Sequence, residues 1–176
     1  MNVLVLGLGS VLMGDDALGP WAIRLLEAGW ELPAGVTAVD LGTPGPELAH
    51  YVAGLDALVV VDSVRHSAHA PGTVVELRDE AVLRATPAPR LSPHDPNLRD
   101  ALLACELLPG GPPRRLALLG IIPERVELGT GLSPVVTAAL PRLVQAVVDE
   151  LRAIGTPPAP RASASPPDVW WERVAV

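Results

Sequence analysis

The architecture follows from one segment near the start of the chain, Val3-Leu4-Val5-Leu6-Gly7-Leu8-Gly9. An apolar run of this length that is interrupted only by glycine is typical of a parallel strand buried on both faces. The apolar residues from 16 to 29 then repeat at helical spacing, which predicts a helix directly after the strand. A strand that is followed at once by a helix indicates the start of an α/β domain.

The rest of the chain continues this alternation. Further strands are predicted at residues 36–41, 57–61, 72–77 and 115–122, and helices at 47–52, 97–108 and 134–154. The pattern predicts an α/β three-layer sandwich of the phosphorylase/hydrolase type, with a five-stranded, mostly parallel, twisted sheet flanked by helices. The third connection is too short for a crossover helix, so the fourth strand is expected to be antiparallel. Residues 84–93, rich in proline and arginine, are expected to form a loop.

The 176 residues fit one domain, which is expected to occupy residues 1–155. The remaining residues, 156–176, are dense in proline, alanine and serine, and are expected to form a flexible tail. Trp170 and Trp171 are unusual in such a tail. They are expected to dock on the body of the protein or on a partner.

Composition and charge exclude several classes of function. The net charge of −7 argues against a nucleic-acid partner, because nucleic-acid binding needs a basic face. The single cysteine excludes a disulfide framework. The N-terminus lacks the basic segment of a signal peptide, and no apolar run is long enough to span a bilayer. The protein is therefore expected to be cytoplasmic, with no membrane partner.

Acidic residues follow three of the predicted strands. Asp16 comes shortly after the first, Asp40 ends the second and Asp62 ends the third. Each acid alone could simply cap a helix. Ligands of α/β sheets bind beyond the carboxyl ends of the strands, however, and three acids at that edge favour a functional site. Dinucleotide binding is disfavoured, because the first loop lacks the third fingerprint glycine and carries acids where phosphates would sit.

A histidine in a restricted loop completes a set of metal-binding side chains. His94 lies between two prolines, and with Asp16 and Asp62 it forms a set of two carboxylates and one imidazole. Such a set suits nickel or zinc and leaves coordination positions open. Neither a Gly-x-Ser-x-Gly nor a His-Glu-x-x-His motif is present. The remaining histidines and the cysteine are expected to be structural or solvated: His50, His66, His69 and Cys105.

Six motifs in order give the chain a resemblance to a known family. They are residues 3–19, Asp40-Leu41-Gly42-Thr43, Val60-Val61-Asp62, Ser92-Pro93-His94, Gly120-Ile121-Ile122-Pro123-Glu124 and Gly131-Leu132-Ser133-Pro134. Together they resemble the hydrogenase maturation endopeptidases, which remove a C-terminal extension from the large subunit of [NiFe]-hydrogenases. The resemblance covers residues 1–153. Ser10 stands where the family usually has asparagine, in a position expected to cap a turn.

The resemblance implies a role for particular residues. Asp16, Asp62 and His94 would be the catalytic and metal-binding residues, with the nickel supplied by the substrate, the large-subunit precursor. Asp40, Gly42 and Thr43 would bind the peptide. The protein would then be a monomeric, nickel-dependent endopeptidase of aspartic or metallo type. Two alternatives stay open: a non-catalytic module that binds metal or peptide, and an enzyme that acts on a small molecule in a closed pocket.

Overall fold

The computed structural model describes residues 1–64, 69–84, 98–163 and 165–173. Strands of the main sheet alternate with helices along most of the chain, as the sequence predicts. The elements in chain order are β1 (Val3–Leu8), a 3-10 turn (Gly14–Ala17), α1 (Leu18–Gly29), β2 (Trp30–Glu31), β3 (Val36–Gly42), α2 (Leu48–Val52), β4 (Ala57–Ser63), β5 (Val74–Arg78), α3 (Glu80–Arg84), α4 (Leu98–Ala104), a 3-10 turn (Cys105–Leu107), β6 (Leu116–Ile121), α5 (Pro134–Ile154), β7 (Ala159–Pro160) and a 3-10 turn (Trp170–Glu172).

Five of the strands form one sheet in the order β3-β1-β4-β6-β5. The first four run parallel, and β5 pairs antiparallel with β6. The predicted fold class, including its one antiparallel strand, is confirmed. In the pairing of β1 with β4, Gly7 lies opposite Val61, so the residues that follow these two strands leave the sheet at the same edge.

Helices cover both faces of the sheet, which explains why its central strands are apolar throughout. Val5 and Val59 point to the face packed by α1 and α5. Leu6 and Val60 point to the opposite face, where α2 and α4 pack and where Cys105 is buried. Each fully buried aliphatic side chain stabilises the fold by about 1.5–3 kcal/mol.

Glycines bring the start of α1 into contact with the central strands. A Cβ atom added to Gly19 would lie 2.1 Å from the carbonyl oxygen of Leu8, and one added to Gly7 would lie 2.7 Å from the carbonyl oxygen of Gly19. A side chain at either position would push the helix away from the sheet. The close approach holds the turn that carries Asp16 against the sheet edge.

The last helix has clear start and stop signals. The side chain of Ser133 accepts a hydrogen bond from the backbone N–H of Val136, and Pro134 occupies the first helical turn. The helix ends at Ile154 and is followed by Gly155, whose φ of 95° is readily adopted by glycine. The predicted helix over residues 134–154 is confirmed.

The structure differs from the sequence-based elements in several places. The helix expected from residue 16 begins at Leu18, because a 3-10 turn comes first. The helix expected over 97–108 ends at Ala104 and gives way to a 3-10 turn, and the strand expected from 72 begins at Val74 after a turn at Gly72. The short helix α3 was not predicted. Apart from Arg84, the loop expected over 84–93 lies outside the described residues, and so does His66.

The residues beyond α5 return along α1. β7 pairs antiparallel with β2, and the backbone N–H of Arg161 donates to the carbonyl of Gly29 at 2.9 Å. Trp171 is only 3% exposed and packs edge-to-face against Trp21, with ring centroids 6.0 Å apart. Trp171 thus docks on the body of the protein. The domain boundary at residue 155 and the flexibility of the tail stay predictions.

Within the described ranges, no helix is both long and apolar enough to cross a membrane.

Candidate active site

Two of the predicted acids meet at the carboxyl edge of the sheet, where β1 and β4 end. Ser63 contacts both of them. Its hydroxyl donates to Oδ1 of Asp16 at 2.8 Å, and its backbone N–H donates to Oδ1 of Asp62 at 2.7 Å. Both carboxylates are half-buried. The structure therefore brings Asp16 and Asp62 together, although 46 positions separate them in the chain.

Asp16 is held by one donor on each carboxylate oxygen. Besides the Ser63 hydroxyl on Oδ1, the backbone N–H of Ser10 donates to Oδ2 at 2.8 Å. Ser10 caps its turn as expected, since its hydroxyl oxygen accepts from the N–H of Leu12 at 3.3 Å. A carboxylate has about four lone-pair sites, so Asp16 keeps acceptor capacity while its orientation is fixed.

Asp15, the neighbouring acid, is surrounded quite differently. It is 0% exposed and accepts four hydrogen bonds: from the N–H of Glu124 at 2.8 Å, the N–H of Arg125 at 3.0 Å, and the N–H and hydroxyl of Ser133 at 2.6 and 2.9 Å. Burial by itself raises the pKa of Asp15, but these hydrogen bonds outweigh burial and lower its pKa. The sequence analysis did not predict this set of partners for Asp15.

The loop after β6 is fastened beside Asp16 through this buried acid. The N–H of Asp15 donates to the carbonyl of Arg125 at 3.1 Å, and the N–H of Gly14 donates to the carbonyl of Gly129 at 2.9 Å. In return, the N–H of Gly129 donates to the carbonyl of Leu12 at 2.9 Å. Two loops that are remote in sequence therefore form one hydrogen-bonded unit next to the acid pair.

The end of β3 lies on the other side of the same edge. Oδ1 of Asp40 accepts from the N–H of Gly42 at 3.0 Å, and Oδ2 lies 4.0 Å from the guanidinium of Arg24. The carbonyl of Gly42 accepts from the N–H of Gly9 at 2.8 Å, next to the residue whose N–H holds Asp16. Thr43 is exposed. Asp40 and Gly42 thus border the site, Thr43 follows them in the chain, and the peptide-binding role of all three stays a prediction.

His94, the third predicted ligand, lies outside the described residues. In the parts of the chain that the structure describes, no group of three histidine, cysteine or acidic side chains is arranged to hold a metal ion. The structure therefore gives the location of Asp16 and Asp62, and the metal-binding role of all three residues stays a prediction. His50 and His69 are exposed, and Cys105 is buried, as expected.

Comparison with known proteins defines the class of this fold and site. A family profile described as hydrogenase maturation protease matches residues 21–150. The chain belongs to the hydrogenase maturation protease family, and it is an endopeptidase and thus a hydrolase.

Individual relatives cover most of its length. The hydrogenase 2 maturation protease of Escherichia coli is 38% identical over 161 residues, which is 92% of this chain and 97% of that protein. The hydrogenase expression/formation protein HoxM of Azotobacter vinelandii is 35% identical over 91% of this chain and 77% of its own length. Among solved structures, the hydrogenase maturating endopeptidase HybD of E. coli superimposes with a TM-score of 0.84 at 38% identity, covering 92% of this chain and 99% of that one.

Proposed function

We propose that this protease removes a C-terminal extension from the large-subunit precursor of a [NiFe]-hydrogenase, with Asp16, Asp62 and His94 as its metal-binding and catalytic residues. One observation carries the proposal: Ser63 contacts both Asp16 and Asp62 at the ligand-binding edge of the sheet. The monomeric state and cytoplasmic location that the sequence suggests stay predictions.

The nickel in this proposal is part of the substrate, because it is already seated in the precursor. Carboxylate and imidazole groups are suitable ligands for such an ion. Asp16 fits this use, since among the described residues each of its oxygens accepts a single hydrogen bond. Asp15 does not fit, since it is fully buried and its two oxygens accept four hydrogen bonds.

The residues of the chain would position the scissile bond. Substrate nickel would supply Lewis acidity, either at the scissile carbonyl or at a water molecule. Asp16 and Asp62 would bind it in an orientation that Ser63 and the Ser10 amide fix in advance, so little reorganisation is needed when the precursor docks. Asp40, Gly42 and Thr43 would contact the peptide on the β3 side of the site.

The rival readings predict different sites or different outcomes. An enzyme acting on a small molecule would need an enclosed pocket at the strand ends. The groove of about 410 Å³ among Ala57, Leu116 and Ile154 lies at the opposite end of the sheet and is not part of this site. A non-catalytic module would bind the precursor and leave it intact.

Processing of nickel-loaded and nickel-free precursor tests the proposal. The purified protein is mixed with each form, and loss of the extension is followed by intact-mass spectrometry. We expect cleavage of the loaded precursor only. Equal cleavage of both forms would contradict nickel recognition, and stable binding without cleavage of either form would favour the non-catalytic module.

A further inference from the structure

Two exposed leucines lie on the loops that are joined beside the candidate site. Leu12 is 56% exposed and Leu128 is 85% exposed. A single exposed leucine on a protein surface is ordinary. These two belong to adjoining backbone segments, however, because the N–H of Gly129 donates to the carbonyl of Leu12 at 2.9 Å. We call Leu12 and Leu128 the leucine ledge.

The backbone beneath the ledge is fixed, although its side chains are exposed. The buried carboxylate of Asp15 accepts hydrogen bonds from Glu124, Arg125 and Ser133, and Gly14 donates to the carbonyl of Gly129. The backbone of these loops is therefore already ordered before any partner binds. Apolar groups that are ordered in advance bind a partner with less loss of entropy.

Polar residues border the ledge. Arg125 and Glu127, both exposed, approach each other with a nitrogen–oxygen distance of 3.6 Å. Exposed apolar groups with a polar border are characteristic of surfaces that bind other proteins.

The position of the ledge identifies its partner. Leu12 lies two residues after Ser10, whose N–H donates to Asp16, so the ledge is continuous with the candidate site. A polypeptide bound with its scissile bond at Asp16 would lie next to the segment from Ser10 to Leu12, because Ser10 is hydrogen-bonded to both Asp16 and Leu12. The only macromolecule that the proposed reaction brings to this edge is the precursor.

We propose that the leucine ledge is a docking surface for an apolar part of the precursor close to its scissile bond. This inference rests on the proposed function and adds a determinant of substrate binding outside the acid pair. The ledge contributes to affinity through apolar contact, and Asp16, Asp62 and His94 contribute the chemistry.

Serine substitutions on the ledge test this proposal. We expect the double variant Leu12→Ser, Leu128→Ser to raise the KM for nickel-loaded precursor about tenfold, with kcat nearly unchanged, because contacts made equally in the ground and transition states affect KM alone. The matched control is Leu107→Ser. Leu107 is 90% exposed and lies in the 3-10 turn after α4, away from the acid pair. This control should process the precursor with the wild-type KM.

A binding titration separates this inference from the proposed function. The dissociation constant of nickel-loaded precursor is measured for the wild-type protein, the double variant and the control, whether or not cleavage occurs. If the double variant binds more weakly and the control does not, the docking role of the leucine ledge is supported. This holds even if the wild-type protein does not cleave the precursor and the proposed function is wrong. An unchanged dissociation constant in the double variant overturns the ledge and leaves the proposed function standing.

Discussion

Asp15 and Asp16 are neighbours in the chain, and their surroundings are opposite. Asp15 is fully buried and accepts four hydrogen bonds from residues 124, 125 and 133. Asp16 is half-buried and accepts two, from Ser10 and Ser63. The number of donors separates the two roles: a carboxylate with four partners is fully used in holding the structure, whereas a carboxylate with two is oriented and still able to bind a ligand.

Replacing the half-buried acid, Asp16, should have the largest effect of all, and this effect should be on activity and not on stability. We expect Asp16→Asn to lower the processing rate by about 10³-fold or more, because it removes a charged ligand from the proposed site. The free energy of unfolding should change by less than about 1 kcal/mol, since a half-exposed amide can keep part of the hydrogen bonding. Processing assays and urea unfolding measure the two quantities.

His94→Ala provides a parallel check on the same site, with the same expected loss of processing and no loss of stability. Normal processing by either variant would remove that residue from the catalytic set.

Replacing the buried acid, Asp15, should mainly lower the stability of the protein. We expect Asp15→Asn to lower the free energy of unfolding by about 3 kcal/mol, because the new amide group presents N–H atoms to a site lined with N–H donors. Urea unfolding measures this. The matched control is Asp79→Asn. Asp79 is exposed and Oδ1 accepts a hydrogen bond from the N–H of Leu116, so its replacement should cost about 1 kcal/mol or less. Equal losses in the two variants would contradict the special role of Asp15.

The smallest expected effect is on pH dependence. The pKa of Asp15 is lowered from its usual 3.8, so in the unfolded chain this group takes up a proton at a higher pH than it does in the folded protein. Its contribution to stability is therefore complete above about pH 5 and is lost as the pH falls through the folded-state pKa.

The free energy of unfolding, measured by urea at a series of pH values from 6 downward, should fall more steeply in the wild-type protein than in Asp15→Asn. Parallel curves for the two proteins would show that another group carries the acid sensitivity.

The sequence predicted the sheet well because its signals are local. A buried strand such as Val3–Leu8 and a capped helix such as Pro134–Ile154 can be recognised from neighbouring residues alone. The location of Asp16 and Asp62 at one edge of the sheet was also predictable, since the carboxyl ends of parallel strands meet there.

The contacts that sequence reasoning missed are non-local. The donors to Asp15 lie 109 to 118 positions away in the chain, and no local sequence pattern predicts such a pairing. The two-residue strand β7 is too short to show any periodicity, and it exists because it pairs with β2. The docking of Trp171 on Trp21 likewise depends on where the tail runs in space.

The distant partners of Asp15 also impose an order on biosynthesis. A ribosome releases the N-terminus first, so Asp16 emerges early, whereas Ser133, the last partner of Asp15, emerges more than a hundred residues later. Until then Asp15 lacks two of its four donors, because contacts of high sequence separation form only when both segments are available. A nascent or truncated chain that ends before Ser133 therefore cannot complete the hydrogen bonding of Asp15, and the loops beside Asp16 reach their final order only after Ser133 has been made.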